Sequence, residues 1–308
     1  MESNKELVVQ EINVEEIVRR FIEAQDVGES SKQTYKRNLM YFMVWYKEKG
    51  ISSPTREAVL SYKQSLIERE LSALTVNNRM VAVRKFFEWA ESVKLYPNIA
   101  RGVKGLKQGR GFKRDVLTKE QVKELLEVMK REETVEGIRN YAIVNLLVRT
   151  GLRTVEVVRA NIEDIRQSSG KAVLYVQGKG RADKAEYVIL TTEALEPINR
   201  YLVTRQRARG EEALFVSVSD RNRGKRLKAT MISIIVKKVL REIGLDSVKY
   251  SAHSLRHTTI TFALLGGATV QEAKELARHS SINTTMIYSH NIDRISSAPE
   301  EKVNEYLK

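Results

Sequence analysis

The chain predicts a mainly α-helical fold with one small β-sheet: an amino-terminal helical bundle joined to a carboxy-terminal mixed α/β unit. Three observations carry this. Apolar residues recur at helical spacing over most of the sequence, period-two alternation is confined to a short central stretch, and a glycine-rich basic run separates two segments, each long enough to bury a core.

In the first segment Val14, Ile17, Val18, Phe21 and Ile22 follow the i, i+3, i+4, i+7, i+8 pattern of a helix with one buried stripe, and Asn13 can cap it. A second helix is expected after Glu29-Ser30-Ser31, carrying Tyr35, Leu39, Phe42 and Tyr46 and stopping at Gly50. Pro54-Thr55 opens a third through Leu60 to Ile67, and Val76, Met80, Val83, Phe87 and Ala90 mark a fourth. Residues 13–95 therefore read as an all-helical bundle ending near Tyr96-Pro97. The stretch 99–115 holds four glycines, six basic residues and one acid, the composition of a flexible basic connector, either merely solvated or strapped across a phosphate backbone. The expected organisation is a helical domain over 1–106, a linker over 107–115 and a second domain over 116–308.

In the second domain Thr118 and Gln121 spell a capping box for a helix through Met129, and Gly137 to Leu147 forms an apolar helix ending at Gly151. A short helix carrying Arg153 and Glu156 follows. Strands are expected at Ile162 to Ile165, Val173 to Val176 and Tyr187 to Leu190, with the basic turn QGKGRADKAE over 177–186. Helices are expected at 192–207, 228–243, 254–265, 269–278 and 282–288, with a further short strand, LFVSV, at 214–218.

Lys and Arg total 53 against 39 Asp and Glu in 308 residues, and the resulting charge of +14 favours a polyanionic partner through counterion release. Nucleic acid is the first candidate. A membrane is disfavoured because no run reaches the roughly 18 apolar residues of a spanning helix. The opening MESNKELVVQ lacks the cationic and apolar regions of a signal peptide, so a cytoplasmic location is expected. With no cysteine in the chain, disulfides, zinc-thiolate sites and thiol nucleophiles are excluded.

Four motifs carry chemistry: TGLRTVEV with Arg153 and Glu156, the GKG turn with Lys179, HSLRH with His253 and Arg256, and LARHSSINTTMIYSH with His279 and Tyr288. An arginine grips two phosphate oxygens in a planar fork, a histidine donates or accepts protons, and a tyrosine hydroxyl can attack phosphorus. Nothing in this set needs a metal or other cofactor. His253 and His257 invite comparison with zinc helices of the HExxH type, but Ser254 stands where the glutamate would be. Taken singly, each residue has a bland explanation: a solvated turn lysine, a surface arginine, a partly buried tyrosine. Their ordered occurrence is what overrides it. RNRGKRLK adds Arg221, Arg223, Lys225, Arg226 and Lys228 as candidate DNA contacts, beside Arg110, Lys113 and Arg114 of the connector.

These residues resemble the tyrosine recombinases, or phage integrase family, in particular its compact Xer-like members, and the resemblance spans nearly the whole chain. It implies a SAM-like core-binding domain followed by the family's catalytic domain. It further implies that Tyr288 attacks a DNA phosphate to leave a 3′-phosphotyrosine and a free 5′-hydroxyl. Ionising an ordinary phenol at neutral pH costs about 4 kcal/mol, so helpers are required. By resemblance His253 accepts the phenolic proton, Arg153 and Arg256 hold the nonbridging oxygens, His279 adds a hydrogen bond, and Lys179 protonates the leaving oxygen. Lys184, on the same turn, is the alternative acid, and Glu156 supports the site without reacting.

The resemblance also implies a tetrameric synapse of two DNA sites, with a second recombinase or an accessory protein left open as partner, and a terminal helix, PEEKVNEYLK, that docks on a neighbouring copy. Its biological outcome is either integration and excision of a mobile element or dimer resolution. Two rivals stand beside it: DNA relaxation by a type IB topoisomerase, which shares this chemistry, and a regulator that kept the fold and binds DNA without cutting. One position departs from the family. Ala277-Arg278 stands where a Leu-Gly pair is usual, placing a bulky cation beside the site as a contact for DNA or a partner.

Overall fold

The computed structural model describes residues 14–51, 53–107, 115–178, 183–205, 210, 212–296 and 299–307, with the side chains of 290–302 excepted. Two units separate, Met1–Arg110 and Gly111–Lys308. The first is built on α1 (Val14–Glu23), α2 (Glu29–Glu48), α3 (Arg56–Glu68) and α4 (Ala73–Ser92). Thr55 and Ser72 cap α3 and α4 by accepting from Ala58 N and Thr75 N, satisfying amides that the helix itself cannot. Helix α2 starts at Glu29, earlier than expected, because the Gly28 carbonyl takes the Ser31 amide at 2.8 Å. The polar Glu-Ser-Ser run is thus its first turn, with Glu29 at the positive end of the helix dipole. Phe21, Leu39, Phe42, Tyr62, Met80 and Phe87 fill the core, Phe42 meeting Tyr62 edge-on at 5.0 Å. Asn13 lies outside the described residues.

The stretch expected to start a connector at 99 belongs to the bundle as far as Leu106. Ala100 and Val103 are buried in its core, and Asn77 takes the Leu106 amide at 2.7 Å while donating to the Leu106 carbonyl at 2.9 Å. Lys63 and Arg84 donate to the carbonyls of Lys104 and Val103. Composition alone suggested a loose strap because side chains elsewhere satisfy this backbone.

The second unit contains α5 (Lys119–Lys130), α6 (Val135–Thr150), α7 (Thr154–Arg159), strands β1 (Ile165–Ser168), β2 (Lys171–Val176) and β3 (Glu186–Ile189), then α8 (Thr192–Val203), α9 (Ala229–Glu242), α10 (Ala252–Leu265), α11 (Val270–Ala277), α12 (Ile282–Ser296) and α13 (Pro299–Tyr306). The expected capping box of Thr118 and Gln121 is present. The sheet is antiparallel in the order β1-β2-β3, with Leu174 opposite both Ile165 and Val188. Helix α6 is the axis of the core: Ala142, Ile143, Val144, Leu146 and Leu147 are all buried, a helix apolar on every side because other elements surround it.

Two expected strands are corrected. Ile162–Asp164 is a 3-10 turn, and pairing begins only at Ile165. LFVSV forms no strand; Ala213 and Val216 make isolated bridges to Asn161 and Arg226. Its apolar residues anchor a loop instead, Phe215 stacking on Tyr201 at 5.5 Å and the Val216 amide donating to the Tyr201 hydroxyl.

Candidate active site

Helix α6 ends at Gly151, whose φ of +61° suits a residue without Cβ, and the chain then turns to place Arg153 at the N-cap of α7. There the Arg153 amide and guanidinium both bond the Glu156 carboxylate, each at 2.7 Å. Glu156 is fully buried. From α10, Arg256 donates to the Gly151 carbonyl at 2.6 Å and to that of Ala277. The next carbonyl, of Arg278, lies 3.5 Å from the Arg153 guanidinium. Successive peptide units at the end of α11 therefore draw together two arginines that are a hundred residues apart in sequence.

Arg278 is the third cation here. It holds the left-handed conformation (φ 51°, ψ 49°) at the C-cap of α11, which costs a side-chain-bearing residue roughly 1 kcal/mol. Its side chain is 3% exposed, with the guanidinium 2.9 Å from the second Glu156 oxygen and 2.7 Å from the Leu276 carbonyl. The expectation of an outward contact for DNA or a partner is thus corrected: the cation turns inward, because the buried Glu156 carboxylate is there to receive it.

Two guanidinium groups, of Arg153 and Arg278, share the Glu156 carboxylate, and Arg256 lies close enough to feel all three charges. Burial, then the charges of Arg153 and Arg278, pull Arg256 down to about 9, which leaves it a cation at neutral pH. Burial alone would raise Glu156, but Arg278 and Arg153 outweigh it and hold the carboxyl below its usual range. The surplus of positive charge in a poorly solvated place suits an incoming anion.

His279 follows directly on Arg278. Its Nδ1 is 2.8 Å from the hydroxyl of the buried Thr285, which orients the ring and leaves Nε2 as the nitrogen for a ligand. Burial and the three arginines push His279 down to about 4, so the imidazole is neutral at pH 7. Tyr288, on α12, is 4% exposed and packs with Ile260, Ala273 and Ala277. Its hydroxyl is hydrogen-bonded to His257 Nδ1, its ring lies 6.3 Å from that of His279, and burial pushes the phenol up to about 12 against the opposing pull of Arg256.

The structure thus brings together Arg153, Glu156, Arg256, His279 and Tyr288. His253 is exposed, with its ring edge-on to His257 at 4.5 Å. The contact that the structure gives the phenol is therefore with His257, a neighbour that HSLRH contains and the sequence reading did not assign. Thr285 was likewise unassigned, and Arg278 was read only as a contact for DNA or a partner: a threonine in a polar run and a cation at a helix end carry no local signal of what they face. Lys179 lies outside the described residues. Lys184, the alternative acid, is 2.5 Å from the buried Asp164, whose carboxylate also takes the Asn161 amide. An open cleft of about 480 Å³ is lined by Arg153, Gly178, Tyr187, Lys274, Arg278 and His279.

Among the candidate DNA contacts, Arg221, Arg223, Lys225 and Lys228 are exposed around the 3-10 turn Asp220–Asn222. Arg223 pairs with Asp220 at 3.0 Å. Arg226 braces the fold, donating to the carbonyls of Val158 and Ala160 and to Asn161 Oδ1. Arg110, Lys113 and Arg114 lie outside the described residues.

A tyrosine sheltered beside clustered guanidinium groups, on a helical unit preceded by a helical bundle, is the equipment of an enzyme class that handles phosphodiesters through a phenol. Comparison with known proteins makes this specific. The phage integrase family matches residues 115–294, and the phage integrase N-terminal SAM-like domain matches residues 16–95. A tyrosine recombinase XerC of Roseiflexus sp. (strain RS-1) is 30% identical over 291 residues, covering 92% of this chain and 90% of the relative. A tyrosine recombinase of Synechococcus elongatus is 28% identical over 272 residues, 84% of each chain. Among solved structures, the XerH site-specific recombinase bound to a palindromic difH substrate in a post-cleavage complex superposes with a TM-score of 0.73 at 21% identity, over 93% of this chain and 84% of that one, a likeness of fold. The chain belongs to the phage integrase family of tyrosine recombinases.

Proposed function

We propose that Tyr288 is the nucleophile with which this tyrosine recombinase cuts and rejoins duplex DNA at specific sites. The observation that carries the reading is the joint placement of the Tyr288 phenol and the Arg153, Arg256 and His279 side chains around the end of α11. Arg153 and Arg256 supply the fork donors for the nonbridging oxygens, where charge grows as phosphorus becomes five-coordinate. His279, neutral when free, gains a reason to protonate or donate once a phosphate offsets the neighbouring cations. A phenol at about 12 requires roughly 7 kcal/mol to ionise at neutral pH, so proton removal has to be coupled to attack.

His257 is the group in contact with that proton and His253 stands beside it, so the pair is the acceptor on this reading. Lys179 protonates the departing 5′-oxygen, and the phosphotyrosine keeps the energy of the diester for rejoining. Lys184 is less suited, being engaged by Asp164. The partners are double-stranded DNA carrying a recombination site and further copies of the chain, four to a synapse. Exposed Val303 in α13 and Leu307 just beyond its end support docking on a neighbouring copy. Among the described residues no helix is long and apolar enough to cross a membrane, and the cytoplasm is the compartment this reading implies. The Xer recombinases among the relatives favour recombination over relaxation or silent binding.

The test uses a pool of nicked duplexes with randomised arms. The protein should form a covalent adduct with a subset of them, and sequencing that subset identifies the site. Tyr288→Phe should bind the recovered sequence and form no adduct. An adduct from Tyr288→Phe would remove Tyr288 as the nucleophile.

A further inference from the structure

We propose that Arg278 is a positioning residue for the reaction, holding the Arg153 guanidinium in place from two sides. The inference rests on the reading of the site given above and assigns within it a residue that the ordered motif does not include.

The geometry is a closed circuit. The Arg278 carbonyl faces the Arg153 guanidinium at 3.5 Å, and the Arg278 guanidinium holds Glu156 Oε2 at 2.9 Å. Glu156 Oε2 also takes the Arg153 amide at 2.7 Å, and Oε1 takes the Arg153 guanidinium at 2.7 Å. Arg278 therefore touches both groups that orient Arg153. Without it, Glu156 Oε2 loses the Arg278 guanidinium while both oxygens keep their contacts to Arg153, and the carboxylate can turn fully toward Arg153. The Arg153 fork would then be neutralised by Glu156 and withdrawn from an incoming phosphate.

Two further observations separate this from ordinary packing. Position 278 is left-handed, where a glycine would sit without strain, so an arginine here is retained at a conformational cost. Its Nε is buried with no hydrogen-bond partner, a donor not used by the fold. Because Arg278 also lines the cleft beside Arg153 and His279, its charge adds to the field that a phosphate would meet.

The experiment compares adduct formation on the duplex recovered from the randomised pool by the unaltered protein, Arg278→Gly, Arg278→Lys and Glu156→Gln, with DNA affinity and Tm measured for each. Arg278→Gly should slow cleavage by about 10- to 100-fold with affinity changed no more than about threefold. Arg278→Lys should recover most of that loss, since it keeps the cation for Glu156. Glu156→Gln in the Arg278→Gly background should cost less than it does alone, because the two act on one target. As an independent readout, the His279 ring should titrate at higher pH in Arg278→Gly by NMR, since one of the cations opposing its protonation is gone. Cleavage equal to that of the unaltered protein in Arg278→Gly, or rate losses that merely track Tm with no rescue by lysine, would overturn the proposal. Failure of the unaltered protein to form any adduct would instead sink the reading of the site.

Discussion

The phenolic oxygen of Tyr288 is hydrogen-bonded to Nδ1 of His257 across 31 residues of sequence. This joins α12 to α10, while the Tyr288 ring packs with Ile260 of α10 and with Ala273 and Ala277 of α11. His257→Ala should therefore lower the rate of adduct formation by at least about 10²-fold, the lower range for loss of a proton-transfer partner. His253→Ala should show which histidine matters more: a larger loss for His253 than for His257 would assign the proton to the outer ring. Single-turnover cleavage on a nicked duplex measures both.

Arg153 and Arg256 should separate in their effect on stability. Arg256 is buried and satisfies two backbone carbonyls, so Arg256→Ala should lose about 10²- to 10³-fold in cleavage and also about 1–3 kcal/mol of stability. The Arg153 side chain is 30% exposed, and Arg153→Ala should lose cleavage with the smaller fall in Tm. Thermal melts alongside cleavage assays test this, and equal loss of DNA affinity and cleavage in either variant would indicate a general binding role.

Acid should weaken the second unit in a defined window. His279 is depressed to about 4 from an ordinary 6.5, so between these values the unfolded chain binds the proton that the folded one refuses. Its contribution is complete above about pH 6.5 and is lost progressively as pH falls toward 4. The lowered Glu156 acts in the same direction at still lower pH. Denaturant unfolding at stepped pH should show His279→Gln with a flatter profile over that interval.

Gly151 ties backbone conformation to the site. At φ +61°, with an added Cβ meeting Thr259 at 3.4 Å and a carbonyl that receives Arg256, Gly151→Ala should destabilise the unit by about 1–2 kcal/mol. Cleavage should fall further than stability requires, because the Arg256 acceptor shifts with the turn. Chemical denaturation and cleavage of the same preparation separate the two effects.

Local signals carried much of the architecture. The caps at Thr55 and Thr118 and Gly151 as the stop of α6 are short-range chemistry and stand in the structure where the residues indicate, while of the expected α1 stripe Val18 and Phe21 are buried and Val14 is exposed. How the segment 99–106 is held in the bundle was not legible, because Asn77 and Arg84, far from it in sequence, satisfy its backbone. LFVSV has strand composition, yet it meets residues 224–227 only through an isolated bridge and a tight turn, and its Phe215 packs on Tyr201 of α8. Arg278 shows the same limit at the site. Nothing in LARH says that a carboxylate 122 residues earlier is buried and draws the guanidinium inward.

The order of arginine, histidine and tyrosine along the chain, its excess of positive charge and its helical periodicity are set by the residues themselves, since side-chain chemistry and 3.6-residue spacing need no knowledge of neighbours. Which histidine meets the phenol, whether Arg278 points to solvent or to Glu156, and how far each titration is displaced were decided only when α6, α7, α10, α11 and α12 packed together. Those outcomes depend on distance and on exclusion of water, and both arise from burial in the folded core.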